Sequence, residues 1–157
     1  MINLENFVSG LDQLYDPEAR MLRTKSDSPG YHTRIPRGID VHPTRDAMNY
    51  ALALLATGEA WRVDRAHDVI EKIVSVQVTD PTAMHYGIWG WFLEEPPEQM
   101  GPADWNWADF IGARIAQALV VHGQLLRPDT TIKARAALHH AAMSIFRRNV
   151  GPAVQQS

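Results

Sequence analysis

Apolar residues recur every three to four positions along five stretches of the chain, and no two-residue alternation persists long enough to predict a strand. The pattern predicts an all-α fold of antiparallel helical hairpins. The first stretch, about Leu4 to Leu22, sets Phe7, Leu11, Leu14 and Tyr15 at helical spacing, with a break or restart at Pro17. The second follows "DVHPTRD", where Pro43 suits a first helical turn and Asp46 the helix dipole, and it runs to a stop at Gly58. It is apolar nearly all round and is expected at the centre. The third, about Ala60 to Val76, carries one stripe (Val63, Ala66, Val69, Ile70, Ile73) and reads as an outer helix. The fourth starts near Asp104 and carries Trp107, Phe110, Ile111, Ile115, Ala118, Leu119 and Leu125. The fifth runs from Asp129 to about Arg148, with Ile132, Ala136, Leu138, Ala142, Ile145 and Phe146 as its expected buried face and Gly151 and Pro152 as its stop.

Connection lengths add the next step. In consecutive antiparallel helices, alternate linkers share an end. The linkers near Gly58 and Pro128 are a few residues long, whereas Arg23 to His42 and Thr79 to Ala103 are long and fall on the same end. Long loops on a rigid scaffold are where binding and catalysis usually reside. Charge also couples these two. Arg20 to Arg45 holds six basic residues against Asp27 and Asp40, and Ile73 to Ala113 holds six acids and no Lys or Arg, so the loops are expected to pair, with some charges left to line a cleft.

The length of 157 residues suits a single helical domain, and 45% hydrophobic residues with a net charge of −3 describe a globular chain without the basic surface of a nucleic-acid binder. No cysteine is present, so disulfides and thiolate metal sites are excluded. The N-terminus lacks a signal-peptide pattern and no apolar run is long enough to span a bilayer, so a cytoplasmic protein without membrane contact is expected. No His-Glu-x-x-His, glycine-rich phosphate loop or Gly-x-Ser-x-Gly elbow occurs, and the adjacent His139 and His140 point about 100° apart on a helix. No metal or cofactor is implied.

The segment "GIWGWFLEEPPEQMGPADWNWADF", Gly87 to Phe110, concentrates four of the five tryptophans with three glutamates and two aspartates. Its stretches "HYGIWGWFLEEP" and "DWNWADFIGARIAQAL", an aromatic and acidic loop entering an inner helix, resemble the (α/α)-toroid proteins: the six-hairpin glycosidases and the toroidal polysaccharide lyases. The second stretch is similar to the Asn-Trp-Trp-x-x-x-Ile-Gly segment of toroidal lyases at Asn106, Trp107, Ile111 and Gly112, with Ala108 in place of the second Trp. A closed toroid takes more helices than the five read here, so the resemblance implies a partial toroid. An incomplete array exposes apolar surface along its first or fifth helix, and a homo-oligomer is expected to cover it.

The resemblance implies a carbohydrate-active module that binds or cleaves oligosaccharide or polysaccharide at the loop-rich end. Sugar C–H faces stack on aromatics, which makes Tyr86, Trp89, Trp91, Trp105 and Trp107 candidate subsites with Asn106, His42 and Arg37 as polar contacts. Hydrolysis needs two carboxyl groups, for which Glu94, Glu95, Asp104 and Asp109 are candidates, with Asp40 beyond the segment. A lyase would draw on His85, Tyr86, His42, Tyr31 and Asn106, helped by Arg34 or Arg37. Structural roles stand beside these: Asp104 as a helix cap, Asp109 as a dipole partner, Trp107 as core and Trp61 as helix packing. Another use of the same tryptophans is a non-catalytic interaction surface.

Overall fold

A computed structural model of the chain describes residues 3–150. Helix α1 (Leu4–Asp12) is capped by Asn3, whose side chain accepts the Glu5 N–H at 2.8 Å. It stops ten residues before the expected end at Leu22. Pro17 cannot donate to a continuing helix, and the Asp16 carboxylate takes the N–H groups of Glu18 and Ala19 at 3.0 and 3.4 Å. The chain reverses there, with Arg20 at φ 58°, and strand β1 (Tyr15–Asp16) pairs antiparallel with β2 (Met21–Leu22). A second pair, β3 (Thr24–Lys25) and β4 (Asp40–Val41), closes the base of the long loop between them. Two-residue strands are too short to leave the alternation sought in the sequence.

Helix α2 (Thr44–Thr57) follows Pro43 and ends at Gly58, which adopts φ 65° and donates its N–H to the Leu55 carbonyl at 3.1 Å. It buries Thr44, Ala47, Met48, Tyr50, Ala51, Leu54 and Leu55, the central position that its composition predicts. Helix α3 (Ala60–Ser75) buries Ala66, Val69, Ile70 and Ile73 and turns Asp64, Arg65 and Asp68 outward. Helices α4 (Trp107–His122) and α5 (Pro128–Val150) form the second hairpin. The helix stop read at Gly151 and Pro152 lies outside the described residues.

The fifth helix corrects the expected stripe. It turns Ala134, Ala137, Ala141 and Ser144 inward, leaving Ile132 68% and Phe146 58% exposed and Ala136 and Ala142 on the surface; Leu138 and Ile145 are half-buried. Small residues win because the two helices approach closely: a Cβ added at Gly112 would stand 3.3 Å from the Ala141 Cβ. Bulkier side chains there would hold the hairpin apart.

The two hairpins pack side by side. α2 touches α3 and α4, and α5 touches α3 and α4. Chain direction then makes α2 parallel to α4 and α3 parallel to α5. Helix α1 lies against α2, gripped by the buried Arg62 of α3, which donates to Glu5 at 2.6 Å, Asp12 at 2.9 Å and Glu59 at 3.1 Å. The hydrogen bond with Glu5 and that with Asp12 hold the guanidinium pKa above its ordinary value.

Both long segments lie at one end. Thr44 N–H bonds the Trp91 carbonyl and Leu93 N–H the His42 carbonyl, each at 2.9 Å, while Gly101 N–H bonds His32 at 2.7 Å. Gly87, at φ 85°, sits so close to the His140 carbonyl and Ser144 that no side chain fits, which ties the loop after α3 to α5.

Candidate functional site

The junction of the two loops with the first turn of α2 encloses a cleft of about 510 Å³, lined by Thr24, Lys25, Asp27, Pro29, Pro43, Arg45, Asp46, Trp91, Phe92 and Trp107. Its aromatic wall is fixed from behind. The Trp107 indole N–H donates to Thr44 Oγ1 at 2.9 Å, and that hydroxyl donates to the Gly90 carbonyl at 2.7 Å. The Trp91 indole N–H donates to Asp104 Oδ2 at 3.0 Å. The rings lie 5.1 Å apart, tilted by 34°, and His32 packs 5.3 Å from Trp91. Trp107 is nearly buried and Trp91 half-buried, so Trp91 offers more of its face to the cleft.

Charges surround this wall. Arg45 lies over Trp107 at 5.1 Å and over Phe110 at 5.5 Å. Among the described residues, no acid lies within ion-pair distance of it. Desolvation raises the Asp46 carboxyl above its ordinary value and Asp27 adds to the effect, against the opposing Arg45 and Arg114. The residue nevertheless keeps open surface, so a ligand can reach it. Lys25 is held by Asp40 at 2.7 Å and Arg23 bonds the same carboxylate at 2.6 Å; Lys25 first, then Arg23, lowers the Asp40 pKa to about 2. Asp40 therefore serves the β3–β4 base.

The other sequence candidates divide by position. Glu95 is 4% exposed, with its two oxygens taken by the Thr33 hydroxyl at 2.7 Å and the Arg34 N–H at 2.8 Å, so it fastens one loop to the other. Glu94 accepts the His42 N–H at 2.6 Å and lies 3.1 Å from His42 Nδ1, whose other nitrogen is 2.8 Å from Asp16. Asp104 accepts both the Trp91 indole and the Asn106 N–H at 3.0 Å, and so caps the turn before α4 rather than the helix itself, which begins at Trp107. Asp109 pairs with Arg148 at 2.9 Å. Trp89 is wholly buried, its indole N–H on the Ile73 carbonyl at 2.8 Å, so it has no face for a ligand. Tyr86 is buried against α5, its hydroxyl 2.6 Å from His140 Nδ1. Burial, with His139 nearby, lowers the His140 pKa, which favours the neutral ring as acceptor of the Tyr86 proton. Trp105 packs 5.6 Å from His85, Asn106 is exposed at the start of α4, Tyr31 is exposed beside His32, and Arg37 reaches the Ser28 carbonyl at 3.4 Å. Trp61 lies beneath Arg62 and Arg65 on the surface of α3.

The structure thus brings Trp91 and Trp107 into one cleft and sets Asp104 directly behind. Lys25, Asp27, Arg45, Asp46 and Phe92 join them, and sequence reasoning missed these as site residues. Asp46 carried a visible signal, an acid in a helix's first turn beside the long loop, but the dipole already explained it. Among the described residues no cluster of three or more His, Asp or Glu could hold a metal ion, and no helix is long and apolar enough to cross a membrane. An indole face flanked by charged donors and acceptors suits a ligand with one apolar face and polar edges.

Comparison with known proteins returned no matching curated protein and no matching solved structure. A family model does match, over residues 4–156, and the chain belongs to the family described as a domain of unknown function, DUF8769.

Proposed function

We propose that the protein binds carbohydrate in the Trp91–Trp107 cleft. The supporting observation is the half-exposed Trp91 indole, braced by Asp104 and Trp107 and bordered by Arg45 and Asp46. A sugar ring stacks its C–H face on the indole while its hydroxyls reach the charged rim. The hairpin arrangement agrees with the toroid part of the reading. In an (α/α) array the inner helices of successive hairpins run parallel, as do the outer ones, and α2 with α4 and α3 with α5 have this relation.

Titration calorimetry against a panel of neutral and acidic oligosaccharides tests the proposal. Trp91→Ala removes the stacking surface and is expected to weaken binding about tenfold or more. If no member of the panel binds, or if Trp91→Ala binds as well as the parent, the reading is wrong. Cleavage is the finer half of the proposal, with Asp46 as proton donor and Asp27 as the second carboxyl. Asp46→Asn then abolishes release of reducing ends while retaining binding. Absence of such release from a bound glycan by the parent protein leaves a binding site without hydrolysis.

A further inference from the structure

Two arginines stand together beside the cleft with no acid paired to either. Arg45, in the first turn of α2, has its Cζ 5.1 Å from the centre of the Trp107 ring and 5.5 Å from that of Phe110. The rings hold the guanidinium in place, and among the described residues none of its N–H groups has a protein acceptor. Arg114 of α4 reaches the same groove from the other side. Its Nε donates to Asn49 Oδ1 of α2, and one terminal nitrogen donates to the Phe110 carbonyl at 2.8 Å. Asn49 is one turn beyond Arg45, and Arg114 one turn beyond Phe110. Because α2 and α4 are packed, parallel neighbours, both cations fall in one groove between them.

The placement sets like charges against each other. Desolvation first, and Arg45 next, hold the Arg114 guanidinium below its ordinary pKa, against Asp46. Asp46 acts on both arginines but forms an ion pair with neither, and desolvation, with Asp27 adding to it, draws its carboxyl toward the neutral form. Other cations of the fold are paired: Arg23 and Lys25 share Asp40, and Arg62 is met by Glu5, Asp12 and Glu59.

We infer that the Arg45–Arg114 groove binds a phosphate monoester, and that the ligand of the adjoining cleft is a phosphorylated sugar. Arginine presents its donors as a planar fork that matches the oxygens of an oxyanion. The whole fork of Arg45 is open to one, as is the second terminal nitrogen of Arg114. Charge selects among oxyanions. Two uncompensated guanidinium groups balance a phosphate monoester, which carries about −1.5 to −2 at pH 7, whereas a carboxylate or a sulfate ester brings a single charge. Arg45 also lines the cleft, so a phosphate held by it leaves the sugar ring at the aromatic wall. The sugar half rests on the carbohydrate reading of the cleft and the phosphate half on the arginines, and the two fail separately.

Titration calorimetry at neutral pH and fixed ionic strength compares inorganic phosphate, glucose 6-phosphate, glucose 6-sulfate, glucuronate and glucose. Inorganic phosphate is expected to bind saturably and to shift the amide resonances of residues 45–49 and 110–114. Glucose 6-phosphate is expected to bind at least tenfold more tightly than the other three sugars. Arg45→Met and Arg114→Met, both at half-buried positions, are each expected to weaken phosphate at least tenfold with unchanged far-UV circular dichroism. Trp91→Ala is expected to weaken glucose 6-phosphate but not inorganic phosphate. The resonance shifts of the parent test the site without depending on any variant folding. Absence of saturable phosphate binding, shifts confined to other residues, or both methionine variants binding phosphate as the parent does would overturn the arginine site. Equal affinity for the sulfate ester or glucuronate would overturn the choice of phosphate. Binding of glucose 6-phosphate that is no tighter than inorganic phosphate and indifferent to Trp91→Ala would overturn the sugar.

Discussion

Replacing Thr44 by valine tests how the cleft wall is held. The substitution keeps the β-branched shape but deletes a buried hydroxyl that, besides a longer contact of 3.2 Å to the Trp91 carbonyl, makes two short bonds, accepting from the Trp107 indole at 2.9 Å and donating to the Gly90 carbonyl at 2.7 Å. Both partners are themselves buried and neither gains a substitute. A buried polar group left without a partner costs about 1–3 kcal/mol, so the pair is expected to lower stability by about 2–4 kcal/mol. For a domain of this size that corresponds to a fall in Tm of roughly 5–15 °C. Urea unfolding followed by tryptophan fluorescence measures it, with the midpoint moving and the slope unchanged. A cycle with Trp107→Phe, which removes the indole donor, separates the two bonds: Thr44→Val should cost less in that background by about 1 kcal/mol. A Thr44→Val protein within about 0.5 kcal/mol of the parent would refute the view that this hydroxyl joins α2 to the Trp-rich loop.

Gly87→Ala forces a side chain into φ 85° and against the His140 carbonyl and Ser144, and a loss above about 3 kcal/mol in thermal unfolding is expected. Glu95→Ala strands the Thr33 hydroxyl and the Arg34 N–H, lowering stability by about 2–3 kcal/mol and speeding limited proteolysis within residues 23–42, with Glu95→Gln intermediate because it keeps one acceptor. Asp40 has a folded-state pKa lowered from 3.8 to about 2, so its contribution is complete above about pH 4 and is lost as pH falls through about 2. Acid unfolding curves of the parent and Asp40→Asn should therefore differ at neutral pH and converge toward pH 2, by a small amount that salt reduces.

What the sequence disclosed and concealed follows from the range of the interactions involved. Helices α2 and α3 were legible to within a residue or two because Pro43, Gly58 and a periodic apolar stripe are local signals. The common end of the two long loops followed from connection lengths alone. The first helix was overextended because the turn at Asp16 depends on a side chain bonding its own backbone, which periodicity does not register. On α5 two apolar stripes compete, and the small residues face inward only because Gly112 lets the helices close in. The aromatic half of the cleft was legible as composition. Its charged half was not, because Lys25, Asp27, Arg45 and Asp46 meet Trp91 through loop packing between residues more than forty positions apart. Glu95 invited a catalytic reading for the same reason, since Thr33 and Arg34, which occupy it, lie sixty residues away.

The attachment of α1 differs in kind from that of the other helices. It fully buries one residue, Val8, while Glu5, Ser9 and Asp12 gather around Arg62. Apolar contacts scarcely weaken when sodium chloride is added at these concentrations, but the attraction between Arg62 and the exposed Glu5 does, over a screening distance of about 10 Å at 0.1 M. Amide exchange of residues 7–12 should therefore quicken with ionic strength while that of α2 holds steady. The first helix works as a strap whose grip is set by the electrolyte, so the α2–α3 edge it covers becomes accessible on a timescale that the surrounding solution controls.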